Sequence, residues 1–139
     1  MTLCTSDIET NKYSALKTAL TYVIITILCA LFGAIYELFS HEVYSYFMIY
    51  AFATPLVLGT LPYLCLAISK KNIYPNSISR NLHHSGVATL TVGSIIKGVL
   101  DIYGTTNHLC AYYWIIGVIL VTIGITLFLF NIITTKYTK

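Results

Sequence analysis

The sequence predicts an all-α integral membrane protein, a four-transmembrane-helix antiparallel bundle with both termini cytoplasmic. Three observations lead there. Apolar residues make up 57% of the 139 residues and charged residues only 9%, too few charges to cover a water-soluble domain of this size. The apolar residues gather in four stretches, each long enough as a helix to cross the roughly 30 Å hydrocarbon core of a bilayer. The basic residues Lys12, Lys17, Lys70, Lys71, Arg80, Lys136 and Lys139 fall on one side of a four-crossing path. Only Lys97 departs from it, and basic residues flanking spans favour the cytoplasmic side. No polar stretch is long enough for a further soluble domain, so residues 1–139 read as a single membrane domain.

Residues 1–14 are polar, with no helical period, and read as a short cytoplasmic tail. The first span is expected at 15–39, with Lys17 near its start and Glu37 near its end. Its apolar run is too long for a signal peptide and no small-residue cleavage site follows, so it is retained. Residues 40–44 suffice only for a tight connection, which makes the first two spans a hairpin. The second span, 45–69, contains Pro55, Gly59 and Pro62. A proline inside a helix removes a backbone donor and crowds the carbonyl four residues back, so this span should bend. The freed carbonyls should face a cavity or a hydroxyl such as Thr54.

A basic, turn-rich connection follows, with Ser77 or Ser79 as the expected N-cap of a third span at 80–103. Gly104 suits the left-handed position that ends a helix. The fourth span, 109–133, is the most uniformly apolar, and Gly117 and Gly124 lie one above the other on a face suited to close helix approach. Tyr36, Tyr44, Tyr46, Tyr103, Tyr112, Tyr113 and Trp114 gather at the outer interface. Tyr13, Tyr63, Tyr74 and Tyr137 gather at the inner one, as aromatic belts do.

The third span carries the chemistry. At 100° per residue, His83, Gly86, Leu90, Gly93, Ser94, Lys97 and Asp101 share one face. Tyr22, Thr26, Cys29, Gly33 and Glu37 share a face of the first span. These two faces are expected to meet, bringing Glu37, Lys97 and Asp101 together. Lys97 and Asp101 stand one turn apart and can pair directly. Charges within spans face a bundle interior or a water-filled cavity. The functional reading is a ligand or ion site between the first and third spans that opens outward. Glu37 and Asp101 would be its anionic groups, Lys97 a counter-charge, and Ser94, Tyr103 and His83 further ligand-binding residues. The competing reading is a structural pair that sets helix register.

His41, Glu42 and His108 lie on the outer connections, and imidazole with carboxylate suits a metal such as zinc, although none has a diagnostic ligand spacing. His83 and His84 point about 100° apart, so one should face the polar stripe and the other the lipid headgroups. Haem would need His83 as its axial ligand, and no cofactor is assigned. Thr89, Thr91 and Ser94 are expected to bond carbonyls of their own helix. Cys4, Cys29, Cys65 and Cys110 form no C-x-x-C and read as free thiols.

No catalytic signature is present: no Gly-x-Ser-x-Gly, no His-Glu-x-x-His and no phosphate-binding loop. The dispersed basic residues sit where insertion explains them and give no nucleic-acid surface. The expected function is therefore a channel, transporter or ligand-binding protein of the cell membrane (plasma or inner), multi-pass. Its expected partners are the lipid bilayer, a small ion or ligand, and copies of itself in a homo-oligomer joined through glycine-bearing faces. Two alternatives stand beside it. One is an accessory or structural subunit of a membrane complex. The other is a membrane-embedded enzyme acting on a lipid or quinone, against which His83 and Asp101 lie about 27 Å apart along one helix.

Overall fold

The computed structural model describes residues 3–40, 43–69 and 74–137. Its elements are α1 (Leu3–Leu38), α2 (Tyr46–Ile49), a π-helical stretch (Pro55–Thr60) that runs into α3 (Leu61–Ile68), α4 (Ser77–Ile102) and α5 (Cys110–Tyr137). The protein is all-helical, with no strand among the described residues. Among the described residues three helical stretches are long and apolar enough to cross a membrane: Glu9–Leu38, Ser77–Ile102 and Cys110–Thr134.

Two element boundaries differ from expectation for local reasons. Helix α1 begins at Leu3 and takes in most of the expected tail. Residues 3–14 contain neither glycine nor proline, and extending an existing helix requires no new nucleation. Helix α4 is capped by Asn76, whose side chain accepts the Ser77 N–H at 2.8 Å. Ser77 is instead the first helical residue. At the far end Gly104 adopts φ 69°, as its position after the helix requires.

The second segment is broken where a single bent helix was expected. Its two prolines supply the cause. Pro55 cannot donate to the carbonyl of Ala51, nor Pro62 to that of Leu58. Between them the ladder widens by one residue, and the Leu61 N–H reaches the Leu56 carbonyl. Such π turns often accompany functional positions. The helical run Pro55–Ile68 is apolar but short.

Helices α4 and α5 form the tightest pair. Facing residues rise along α4 as they fall along α5, so the two are antiparallel. A Cβ on Gly86 would lie 2.6 Å from Val121 Cγ2, one on Gly93 2.7 Å from Tyr113 Cβ, and one on Gly124 2.9 Å from the His83 backbone nitrogen. One on Gly117 would meet Leu90 at 2.6 Å. Gly86 and Gly93, like Gly117 and Gly124, are seven residues apart, the spacing that keeps a seam facing its partner in a left-handed pair. The Ser79 hydroxyl donates to the Gly124 carbonyl at 2.7 Å and closes one end of the seam.

The glycine face of α5 is thus spent inside the chain. The close helix approach expected at Gly117 and Gly124 is made within the chain, against α4.

The inward faces of α1 and α4 are those the period selects: Ala15, Ala19, Tyr22, Thr26 and Gly33 on α1, and His83, Gly86, Leu90, Gly93 and Ser94 on α4 are buried. At the level of Gly33 and Gly98 they do not meet directly. Met48 of α2, 1% exposed, lies between them. A Cβ on Gly33 would stand 3.0 Å from the Met48 carbonyl oxygen, and one on Gly98 2.8 Å from the Met48 nitrogen. The main chain of the second segment is clamped between two glycines on different helices. Further along, Gly59 admits the Tyr22 ring, and Ala19, Tyr22, Tyr63, Val87, Leu90 and Val121 make the core.

Candidate functional site

At the Gly104 end, Lys97 Nζ donates to Asp101 Oδ1 at 2.7 Å, the one-turn pairing that the sequence anticipates. The third member of the site is Ser45, whose hydroxyl donates to Asp101 Oδ2 at 3.2 Å. Ser45 is 2% exposed and immediately precedes α2. Sequence reasoning did not single it out. Glu37 takes no part: no hydrogen bond joins it to the pair among the described residues, and its Oε1 is buried without a partner. Met48 stands between Gly33 of α1 and Gly98 of α4 at the level next to the pair.

Lys97 has two further N–H donors and stands 5.8 Å from the centre of the Phe47 ring. It lines a cavity of about 410 Å³ with Phe47, Asn107, His108, Cys110 and Trp114. Phe47 and Trp114 pack edge to face, with ring centres 5.9 Å apart. This cavity lies between the second segment, α4 and the start of α5, so the expected wall from α1 is absent. Tyr103 is elsewhere. It lines a separate recess of about 460 Å³ with Phe32, Tyr36, Phe39 and Ser40 of α1 and the residues after it. Ser94 is 4% exposed, and its hydroxyl returns to the Leu90 carbonyl at 3.0 Å.

His41 and Glu42 lie outside the described residues. His108 is described and exposed, and no group of three or more metal-ligating side chains occurs among the described residues.

Toward the Tyr74 end, His83 faces inward as expected, and His84 departs from the expectation for it. His83 Nε2 donates to the Leu58 carbonyl at 2.8 Å, the carbonyl that Pro62 leaves without its α-helical donor. An imidazole from α4 thus replaces the missing backbone N–H of the second segment. His84 does not point away to headgroups. Its Nδ1 bonds the Tyr22 hydroxyl at 2.5 Å, and its ring stacks on Tyr63 with centres 5.3 Å apart. Tyr63 is 2% exposed and also takes the edge of His83 at 6.0 Å. Both imidazoles converge on one tyrosine because the second segment passes across α4 at this level. Helical geometry alone separates them by 100°, and the aromatic ring reaches both.

The threonines behave as expected. Thr89 donates to Ser85 O at 2.7 Å and Thr91 to Val87 O at 2.8 Å. Cys29, Cys65 and Cys110 are free thiols. No protein-family model, curated protein or solved structure matches the chain.

Proposed function

We propose that this is a four-span protein of the cell membrane, with both termini cytoplasmic, that binds a small anionic ligand with an apolar body at an outward-facing site. The four-span reading is supported by the course of the second segment. It runs beside α1 from the Gly33–Met48 contact to the Tyr22–Gly59 contact and on to Tyr74, whose hydroxyl lies 3.5 Å from Thr18 Oγ1. These contacts follow α1 over the 15 residues from Gly33 back to Thr18, about 22 Å of helix and so most of the roughly 30 Å hydrocarbon core. The orientation rests on the basic residues, of which Lys70, Lys71 and Lys139 lie outside the described residues.

One observation carries the ligand reading. Lys97 lines the cavity, while Asp101 sits behind it, held by both Lys97 and Ser45. The cavity therefore presents a cation with unspent donors beside two aromatic rings. A carboxylate on an apolar body matches both features. In the inner half of the bundle the core of Ala19, Tyr22, Tyr63, Val87, Leu90 and Val121 is packed, which favours a binding site over a conducting path through one copy.

The test is thermal unfolding of the detergent-solubilised protein with benzoate, acetate and benzylamine. Benzoate should raise the melting temperature of the native chain more than acetate, and benzylamine should not. Lys97→Met should remove the benzoate response, and an unchanged response in that variant sinks the reading. The enzyme alternative gains no joint centre here. His83 is committed to the Leu58 carbonyl, and Asp101 belongs to the opposite end of α4.

A further inference from the structure

Between α1 and α4 runs a recess of about 570 Å³, walled by Ile25 and Cys29 on one side and Ala88 and Val92 on the other, with Pro55 beside them. It exists because the second segment keeps the two helices apart. Its volume is that of a preformed small-molecule site. No Lys, Arg, Asp or Glu among the described residues lines it.

Its polar groups are nearly all spent. Thr18, Thr21 and Thr91, which line it, donate to the carbonyls of Ser14, Lys17 and Val87 on their own helices. The Tyr22 hydroxyl is engaged with His84 Nδ1. We assign the phenol, the stronger donor of the two, as the donor, which makes Nδ1 the acceptor and places the imidazole proton on Nε2. Among the described residues that Nε2 has no hydrogen-bond partner. It is not sealed in the core either, since among the described residues the one fully covered side-chain atom left without a partner is Glu37 Oε1. His84 itself forms part of the wall of the recess. A donor without a partner, on a residue that walls an apolar groove in a spanning helix, calls for an acceptor from outside the chain.

We propose that the recess between α1 and α4 binds a neutral, lipid-soluble molecule whose single acceptor oxygen, a ketone or ether, receives the His84 Nε2–H. The absence of charged residues from the wall excludes a zwitterionic phospholipid headgroup as the group held there, and the apolar wall takes the hydrocarbon body. This site is separate from the Lys97 cavity, and either can fail without the other.

The probe is a diazirine-bearing 2-hexadecanone, photolysed with the protein in phosphatidylcholine nanodiscs and mapped by peptide mass spectrometry. Label should concentrate on the stretches around Ile25–Cys29 and Ala88–Val92. Excess unlabelled 2-hexadecanone should displace it and hexadecane should not. The phospholipid esters present throughout make preferential labelling a measure of the neutral ketone against the bilayer's own carbonyls. His84→Phe keeps a ring against Tyr63 but has no nitrogen, and should cut labelling by about tenfold, the weight of one hydrogen bond. Ala88→Trp, which fills the groove from an exposed position and leaves the ring cluster alone, should cut it as far. Label spread evenly over α1, α4 and the exposed face of α5, hexadecane competing as well as the ketone, or labelling unchanged in both variants would each overturn the proposal.

Discussion

Helix α4 accommodates its two neighbours in opposite ways. Against α5 it presents Gly86 and Gly93, receives Gly117 and Gly124 in return, and the two backbones close to contact. Against α1 it is held off by the second segment, whose Met48 backbone fits between Gly33 and Gly98, and the remaining space is bridged by rings: Tyr22, Tyr63, His83 and His84. The first arrangement leaves no room and few polar groups to satisfy. The second leaves a recess, an open imidazole nitrogen and a carbonyl that must be satisfied from another helix. Where no hydrophobic force drives helices together, small residues give stability through close packing, and the places built from large rings and prolines retain space for ligands.

Substitution at the glycine seam should produce the largest effect. Gly86→Ile must displace the Val121 backbone as well as its side chain, and should destabilise the fold by about 3 kcal/mol or more in denaturing-detergent titration. A loss below about 1 kcal/mol would show that the seam is not the rigid half. Next comes the ring-bridged half. His83→Leu strips the donor from the Leu58 carbonyl and should cost about 2 kcal/mol. Pro62→Ala restores a backbone N–H at residue 62, so the double variant should recover about 1 kcal/mol of that loss. A double-mutant cycle without coupling would mean that the imidazole does not stand in for the missing amide.

Asp101→Asn leaves Lys97 and Ser45 with a weaker acceptor. The side chains of the ion pair are 26% and 28% exposed, so the cost should be about 1 kcal/mol, below that of a fully buried pair. The smallest effect belongs to the recess. Ala88→Ile adds bulk to an exposed residue of the groove wall and should change stability by about 0.5 kcal/mol or less. Together with Gly86→Ile, two residues away, it measures how sharply the two sides of α4 differ.

Much of this was legible in the residues. The period along α4 identifies His83, Gly86, Leu90, Gly93 and Ser94 as its inward face, and all are buried. The four-residue spacing of Lys97 and Asp101 predicts their pairing, and the prolines mark where the second segment departs from a straight helix, though as a bend rather than the break observed. The identity of the carbonyl acceptor's partner was not legible. Pro62 marks Leu58 as short of a donor, but Thr54 is as near in sequence as His83 is remote. Nor was Ser45, whose place beside Asp101 depends on how the segment before α2 enters the bundle.

The sequence by itself determines an apolar, all-helical chain, which faces of α1 and α4 turn inward, and where α4 ends at Gly104, because these follow from composition, a 3.6-residue period and the backbone freedom of glycine. Only the tertiary structure decides which inward faces meet. A helix face with small residues fits a neighbouring helix or a threaded main chain equally well, and nothing local distinguishes the two. The choice is made by the second segment, which passes between α1 and α4, separates Glu37 from Lys97 and Asp101, and brings His83 and His84 to a single tyrosine.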